Sequence, residues 1–378
     1  MNTLGQRYAL VIGGLLLVVQ AQARDYLAPV EDARLSSPGG WEEPVPDGQY
    51  AYEKTDYAKD VYCQPRWAHR TGVFGEYLLV RPRDSEVAYG VLADNVGNFL
   101  DTGENLIQRS RVFLVDPSYS SNYRLGGTMA FSDCSSLRLT YSSFYGSDQD
   151  ARSFDPLDVG DARIVPISLH PFPQDASQFP LDAQARSAIQ YKTADVDFRS
   201  VLWASELSAL NYLVGARYAH LDQRYASVYG GTGVAEQADS RVRFDGGGLR
   251  FGLDGERHHS RSGFLLYGHS VVSLVAGQFH ARYQYESDLN PSVPLVDTGW
   301  NADRIISTLD LELGVGWQSG CGHLRVTSGY MISSWFNSVT TDQWLRAVGR
   351  NNYVGQPDGM SYDTLMFDGL AIRAELRF

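Results

Sequence analysis

The C-terminal part of the chain alternates apolar and polar residues with a period of two. The apolar face of the last segment comprises Leu370, Ile372, Ala374, Leu376 and Phe378. Arg373, Glu375 and Arg377 lie between them, and the same period recurs over residues 309–317 and 324–332. Successive side chains of a strand point to opposite faces, so this pattern predicts strands whose two faces meet different environments.

Similar alternation occurs upstream and brings the number of predicted strands to ten. The segments are 72–81, 122–132, 135–144, 191–202, 211–224, 241–254, 263–284, 308–317, 324–332 and 370–378. In one of them the apolar residues change parity at Gly246, Gly247 and Gly248. We interpret that change as a β-bulge.

The connections between these segments alternate between long and short. The long ones have about 40, 46, 16, 20 and 25 residues, and the others are tight turns. This alternation of long and short connections predicts an all-β, transmembrane, antiparallel up-and-down β-barrel of about 10 strands (range 8–14), with long extracellular loops and short periplasmic turns. Closure pairs every backbone polar group within the bilayer. A secreted β-sandwich, the alternative from composition, has no reason to sort its loops by length.

The N-terminus has the features of an export signal. Arg7 precedes an apolar run over 9–19, and Ala21-Gln22-Ala23 fits a cleavage site, so residues 1–23 are predicted to be a signal peptide. Residues 24–71 are rich in proline and are predicted to be a periplasmic N-terminal segment, followed by the barrel over 72–378. We therefore expect the protein in the cell outer membrane of a Gram-negative bacterium.

Charge and hydropathy exclude two other classes of protein. The net charge of −12 argues against nucleic-acid binding, which needs a basic surface. The mean hydropathy of −0.26, without an apolar run near 18 residues, excludes a helical membrane protein. Three cysteines, Cys63, Cys134 and Cys321, allow one disulfide in an oxidising compartment and leave one thiol.

Charged residues on the polar faces of the strands are the candidate functional residues. The predicted pore-lining residues are Arg138, Arg217, Arg250, Asp310, Glu312, Arg325, Arg373, Glu375 and Arg377. Charges inside a pore set its ion preference. The alternative is that arginines and carboxylates pair across strands and fill a narrow barrel. Four tyrosines near strand ends suit interfacial girdles, with ordinary strand packing as the alternative for each: Tyr141, Tyr218, Tyr267 and Tyr330.

Catalytic, cofactor and metal motifs are not evident. The glycine-rich stretches complete neither GxGxxG nor GxxxxGK[ST], and no GxSxG occurs. His220 and Asp222 share a strand face, which we interpret as a hydrogen bond in the lumen rather than part of a catalytic triad. The acidic loop over 147–161 is interpreted as solvated rather than as a calcium site. We expect no enzyme activity, no cofactor and no metal.

Several segments resemble the Legionella-type major outer membrane protein family. They are residues 74–82 (FGEYLLVRP), 213–219 (LVGARYA), 244–253 (FDGGGLRFGL) and 367–370 (FDGL). The resemblance implies a pore-forming outer-membrane barrel and carries over no catalytic residue. It also implies that Phe378, Leu376 and Ala374 form the signal read by the barrel-assembly machinery.

The predicted function is passive passage of small polar solutes or ions through a polar lumen. One alternative is a sealed barrel whose long loops serve in surface adhesion or envelope anchoring. A second, which we favour less, is an outer-membrane hydrolase. Expected partners are outer-membrane lipid and lipopolysaccharide, the barrel-assembly machinery and the solutes, and the sequence leaves a homo-oligomer open.

Overall fold

The computed structural model describes most of the predicted barrel. The described residues are 67–94, 107–160, 162–168, 181–230, 235–259, 262–287, 294–353 and 363–378. The predicted signal peptide (1–23) and residues 24–66 of the predicted N-terminal segment lie outside these ranges. Within them, none of the helices has the length and apolar character needed to cross a membrane.

Strands account for most of the described chain. In order they are β1 (Gly72–Arg83), β2 (Val87–Asp94), β3 (Ile107–Gln108), β4 (Phe113–Val115), β5 (Ser120–Ser132), β6 (Ser135–Ser153), β7 (Ala162–Pro166), β8 (Asp182–Ala204), β9 (Ser208–Gly230), β10 (Ala235–His258), β11 (Phe264–Ser287), β12 (Val296–Gln318), β13 (Leu324–Ser338) and β14 (Asp363–Arg377). Two helices, α1 (Pro156–Val159) and α2 (Thr341–Arg350), accompany them.

Ten of the strands close into an antiparallel barrel. Their order is β1-β14-β13-β12-β11-β10-β9-β8-β6-β5, and β5 pairs back to β1. Each barrel strand corresponds to one of the predicted segments, so the predicted fold class is confirmed. The remaining strands form a small sheet, in which β2 pairs with β3, β4 and β7.

The two ends of the barrel carry different connections. Short connections join β5 to β6, β8 to β9, β10 to β11 and β12 to β13, and the strand ends that they join lie where β1 starts and β14 finishes. The small sheet and both helices belong to connections at the opposite end. Since outer-membrane barrels keep their short turns in the periplasm, we call these the periplasmic and the extracellular ends.

Several strands are much longer than the sequence predicts. Strands β8 to β12 have 23 or 24 residues each, whereas about 9–11 residues cross a bilayer. The predicted 16-residue connection between β9 and β10 is therefore wrong, because only residues 231–234 separate these strands. Here the barrel wall itself extends beyond the membrane.

The predicted bulge at Gly246–Gly248 is also wrong. Strand β10 pairs without a register shift with both β9 and β11. Val242 and Phe244 are buried inside the barrel, whereas Leu249 and Phe251 are exposed on its outer face. The apolar face changes side because the surroundings change. Near the periplasm the lumen is polar and the wall meets lipid, whereas beyond the membrane the lumen is apolar and the wall meets water.

Aromatic side chains fill the lumen above the membrane region. Phe144, Tyr191, Trp335 and Phe367, which we call the aromatic layer, are all buried. The ring centroids of Tyr191 and Phe367 are 4.7 Å apart, and those of Phe144 and Tyr191 are 5.2 Å apart. Aromatic pairs at these distances contribute stabilisation beyond their buried area. The layer forms a compact apolar block across the barrel.

A cap lies against the extracellular end of this core. We define the cap as β2, β3, β4, β7, residues 167–168 and α2. The Tyr225 hydroxyl donates to Ser168 Oγ at 3.0 Å, and the Tyr283 hydroxyl donates to the Ser168 carbonyl at 2.8 Å. Trp344 and Val348 of α2 are fully buried. These contacts anchor segments of the extracellular connections within the barrel mouth.

Three of the four tyrosines that suit interfacial girdles face outward, as a position in a girdle requires. Tyr141, Tyr218 and Tyr330 are exposed on the outer face, with 40%, 52% and 49% of their surface accessible. The predicted outward orientation is wrong for Tyr267, because this residue is buried and its hydroxyl donates to Glu312 at 2.8 Å. Its strand carries an apolar residue on both faces at this level, so periodicity alone does not give its orientation.

Candidate functional site

The polar lumen of the periplasmic half is the candidate functional site. All nine predicted pore-lining residues lie on the inner face, with between 4% and 20% of each side chain exposed. They belong to β6, β9, β10, β12, β13 and β14. Alternation in each strand places them inward and their apolar neighbours toward lipid.

A first group of charges, the middle cluster, spans the barrel below the aromatic layer. Arg217 binds Asp195 with two contacts, Nε–Oδ1 at 2.8 Å and Nη2–Oδ2 at 3.0 Å. Its Nη1 also lies 2.7 Å from Oδ2 of Asp310. Arg250 contacts Asp195 and lies 3.3 Å from Asp197. The middle cluster thus joins β8, β9, β10 and β12 across the lumen.

A second group, the seam cluster, lies where β1 meets β5 and β14. Arg124 Nη1 lies 3.0 Å from Glu76 and 3.3 Å from Glu312. Arg373 Nη2 lies 3.3 Å from the same Glu76 oxygen. The hydroxyl of Tyr267 donates to the other oxygen of Glu312. Each carboxylate of this cluster is therefore held by two donors.

A third group lies nearer the periplasm around Asp254. Arg199 Nη2 is 2.5 Å from Asp254 Oδ2, and Arg138 Nη2 is 3.7 Å from the same oxygen. Glu256, two residues further along β10, accepts from Arg325 at 2.8 and 2.9 Å. Two cations thus share Asp254, while both oxygens of Glu256 accept from the single Nη1 of Arg325.

The last ion pair lies at the periplasmic end of β14. Arg377 Nε donates to Glu375 Oε1 at 3.0 Å, and Arg377 Nη1 donates to the carbonyl of Trp67 at 3.2 Å. Both charged side chains are almost fully buried. The final strand is thereby tied to the chain that enters the barrel.

Eight arginines and eight carboxylates make up these lumen contacts. The arginines are Arg124, Arg138, Arg199, Arg217, Arg250, Arg325, Arg373 and Arg377. The carboxylates are Glu76, Asp195, Asp197, Asp254, Glu256, Asp310, Glu312 and Glu375. The charges of these ion pairs balance, which matches the pairing alternative described above.

Seven of these sixteen residues are absent from the predicted pore lining. They are Glu76, Arg124, Asp195, Asp197, Arg199, Asp254 and Glu256. Part of the signal was present, because Asp195, Asp197 and Arg199 alternate with Ala194, Val196 and Phe198. That alternation has the same period of two as the segments that contain the nine predicted pore-lining residues.

A small cavity remains between the charged clusters. It has a volume of about 60 Å³ and is lined by members of the middle and seam clusters together with Arg138 and His269. A water molecule needs about 10–15 Å³ measured in this way, so the cavity has room for a few. Among the described residues, Arg138 Nε and Arg373 Nε have no hydrogen-bond partner. These unused donors, together with the carboxylates of Asp310 and Glu312 in the same lining, make the cavity suitable for water.

His69 lies beneath the lumen at the periplasmic end. Its Nδ1 is 2.8 Å from Ser136 Oγ, and its Nε2 is 3.2 Å from Asn211 Oδ1. Only 3% of the residue is exposed. Burial, reinforced by the positive charge of Arg199, lowers the pKa of His69 to about 4. His69 is therefore neutral at physiological pH and joins the chain before β1 to strands β6 and β9.

His220 and Asp222 do not form the predicted hydrogen bond in the lumen. Both lie on the outer face of β9, above the membrane region, where the strand faces reverse their character. His220 Nδ1 is 2.7 Å from Asp245, and Asp222 accepts from Arg224 and Arg241 instead. The prediction is wrong because it assumed that polar residues face inward along the whole strand.

The remaining predicted features have separate positions. In the described part of the chain, no group of three or more His, Cys, Asp or Glu residues could hold a metal ion. Cys134 is disulfide-bonded and Cys321 is a free, exposed thiol, whereas Cys63 lies outside the described residues. Ala374 and Leu376 lie on the outer face of β14, and Phe378, which directly follows the strand, is exposed and donates its amide to the Thr71 carbonyl at 2.8 Å.

Solved structures with related architecture share little sequence with this chain. The outer membrane protease OmpT from Escherichia coli has a TM-score of 0.42 and 9% identity, covering 81% of this chain and 97% of that chain. A FadL homologue from Pseudomonas aeruginosa has a TM-score of 0.22 and 8% identity, covering 82% and 90%. These similarities concern the barrel fold alone. No curated protein sequence matches the chain.

A family profile gives a more specific result. The family described as the Legionella pneumophila major outer membrane protein precursor matches residues 76–374, well over half of the chain. The match runs from β1 to β14 and includes all the charged clusters except Glu375 and Arg377. Together with the closed barrel, it supports a location in the outer membrane. The chain belongs to the Legionella major outer membrane protein family.

Proposed function

We propose that this protein is a narrow, non-enzymatic pore for ions and small polar solutes, closed in the described conformation by the aromatic layer and the cap. The observation that supports the proposal is the column of sixteen charged side chains that extends from the periplasmic end to the small cavity. Such a column is the polar part of a permeation path.

The energetics of burial favour this role over a purely structural one. Removing charges from water is costly, and well-packed apolar residues often replace a buried ion pair without loss of stability. The extracellular half of the same barrel is filled with apolar side chains, so the fold can be packed in that way. The charged residues of the periplasmic half are therefore better explained by a role in hydration and ion passage than by a purely structural role.

The closed state follows from the contents of the lumen. A cavity of about 60 Å³ does not admit a hydrated solute. Passage therefore requires the aromatic layer to move and the cap to lift, and both are held by side-chain contacts rather than by barrel hydrogen bonds. We propose brief openings of low conductance rather than a permanently open channel.

Ion selectivity provides a test of the charged column. With eight cations balancing eight carboxylates, the wild-type reversal potential in a salt gradient should lie near zero. Arg373→Gln removes one positive charge beside the cavity and should shift that potential toward cation preference. The matched control is Arg257→Gln, an exposed position on β10 near the periplasmic end.

The outcomes of that measurement separate the proposal from its alternatives. Openings whose selectivity follows Arg373 support the pore. Channels with identical reversal potentials in the wild type and R373Q would show that ions do not pass this column. Heat-modifiable migration on gels confirms that each variant has a folded barrel before it is recorded.

A second candidate function is a sealed surface protein. It is favoured by the cap, whose small sheet and helix α2 pack against the barrel mouth and present their other surfaces outward. In that case the cap binds a ligand or envelope polymer and the lumen is inert. Absence of ion flux, even after the cap is loosened, would favour this function.

A further inference from the structure

Three arginines lie in one row on the outer wall of the extracellular half. Arg224 of β9 is paired directly with Arg241 of β10, which is paired directly with Arg282 of β11. Neighbouring strands are about 4.8 Å apart, and like charges placed opposite each other destabilise a sheet. Such a row needs compensating negative charge.

The compensation within the described protein is incomplete. Asp222, with only 4% of its side chain exposed, lies 2.8 Å from Arg224, 2.6 Å from Arg241 and 3.7 Å from Arg243. Arg282 has a separate partner, Asp297, at 2.7 Å. Four arginines are thus matched by two carboxylates. We call these four arginines the outer arginine patch.

Two further carboxylates nearby keep their negative charge but contact residues outside the patch. Asp245 accepts hydrogen bonds from Tyr218 and is paired with His220. Asp239 accepts from Gln237 at 2.6 Å. The guanidinium groups of the patch nevertheless remain accessible, with 60% of the Arg224 side chain and 36% of the Arg241 side chain exposed.

The patch borders an open groove on the barrel wall. The groove has a volume of about 970 Å³, and its lining includes all four arginines of the patch together with Arg186 and Tyr145. Three carboxylates, Asp222, Asp239 and Asp297, also line it, so five arginines face three carboxylates. A volume of this size accommodates a sugar phosphate unit rather than a single ion. The positive groups therefore surround a site large enough for an organic ligand.

The height of the patch above the membrane indicates which ligand can reach it. Tyr218 is the last exposed aromatic residue of β9, and Arg224 follows six residues later. At about 3.3 Å per residue and a tilt near 40°, Arg224 lies about 15 Å further along the barrel axis. A phospholipid headgroup layer is only about 5–8 Å deep. The phosphorylated sugars of an outer-leaflet glycolipid extend further.

We propose that the outer arginine patch binds the phosphorylated sugar headgroup of an outer-leaflet glycolipid. Arginine suits this role because each guanidinium carries five N–H donors. Arg224 and Arg241 can therefore keep their Nε and Nη2 contacts with Asp222 while their other N–H groups face a phosphate. The lipid's acyl chains then lie along the apolar wall below, beside Leu249 and Ile305, which are 59% and 61% exposed. The phosphate supplies the negative charge that the row of arginines lacks.

Binding of a defined glycolipid to the purified, folded protein tests this site. The probe is a diglucosamine bisphosphate lipid in neutral detergent micelles, compared with its dephosphorylated form and with phosphatidylglycerol. The variant is Arg224→Gln with Arg241→Gln, and the control is Arg257→Gln on the same strand near the periplasmic end. We expect preferential binding of the bisphosphate by the wild type and R257Q, and at least about tenfold weaker binding by R224Q/R241Q.

A chemical footprint of the wild type tests the site without any variant. Arginine modification followed by mass spectrometry should show protection of Arg224 and Arg241 by the bisphosphate lipid, and none of Arg257. Equal binding of the phosphorylated and dephosphorylated lipids would overturn the proposal, as would equal binding of phosphatidylglycerol. Unchanged affinity in R224Q/R241Q, or a footprint lacking both arginines, would overturn it as well.

Discussion

Arg217 and Asp195, directly opposite each other on β9 and β8, form a bidentate ion pair inside the barrel, with N–O distances of 2.8 and 3.0 Å. Their side chains are only 6% and 5% exposed. A cross-strand pair that is so well buried couples stability to the charge of each partner. Loss of either charge unbalances the middle cluster, in which Arg217 also contacts Asp310 and Asp195 also contacts Arg250.

We therefore predict that Asp195→Asn destabilises the barrel strongly. Removing one partner of a buried pair costs about 3–5 kcal/mol in free energy of unfolding. The matched control is Asp297→Asn, which breaks the exposed bidentate pair with Arg282 and should cost less than about 1 kcal/mol. Urea-induced unfolding in detergent or lipid measures both values. Equal losses would contradict the assignment of Asp195 to a buried ion pair in the lumen.

A second prediction concerns the glycines at which the strand faces reverse. A Cβ added to Gly248 would lie 1.8 Å from the carbonyl oxygen of Leu274, whereas one added to Gly247 would find its nearest atom at 3.8 Å. Gly248→Ala should thus cost about 1–3 kcal/mol through overpacking, and Gly247→Ala should change stability by less than about 1 kcal/mol. If both variants unfold alike, the register of β10 with β11 is incorrect.

A third prediction follows from the neutral His69. Its pKa is about 4 in the folded protein and 6.5 as the ordinary value. The unfolded chain therefore binds more protons between these values, so the contribution of His69 to stability is complete above pH 6.5 and is lost as the pH falls toward 4. The difference in unfolding free energy between the wild type and His69→Gln should shrink across this window. A difference independent of pH would show that His69 is not buried in the neutral form.

A fourth prediction tests the orientation of the barrel. Cys321 lies in the turn between β12 and β13, and a hydrogen bond with Ser319 holds the pKa of its exposed thiol below the usual range. A bulky impermeant maleimide should label Cys321 only after the outer membrane is permeabilised. Leu157→Cys, in a Cys321→Ser background, should react in intact cells, because Leu157 is 92% exposed at the other end. The reverse labelling pattern would invert the topology.

The sequence predicts the barrel well because its period-two signal is strong where the two environments differ most. In β14, Leu370, Ile372 and Leu376 face lipid while Arg373 and Glu375 face the lumen. Each of the ten strands contains at least one such stretch.

The same period-two signal fails at the level where the lumen changes from polar to apolar and the outer face of the wall passes from lipid into water. Alternation shows that two faces differ, but it does not say which face is inside. Phe244 and Leu249 are out of phase in the sequence, yet β10 continues without a bulge, because the outer face of the strand meets lipid at one level and water at the other. The cap could not be predicted either, because contacts such as those of Ser168 with Tyr225 and Tyr283 join segments far apart in the chain.

The most direct test of the proposed closed pore is single-channel recording on a variant with a loosened cap. Trp344 and Val348 anchor α2 in the apolar core, and Trp344→Ala with Val348→Ala removes that anchor while leaving the barrel strands intact. In planar bilayers we expect rare, small openings of the wild type and openings at least several-fold more frequent in W344A/V348A. Silence of both proteins, with a folded barrel verified by heat-modifiable migration, would contradict the pore and leave a sealed surface barrel.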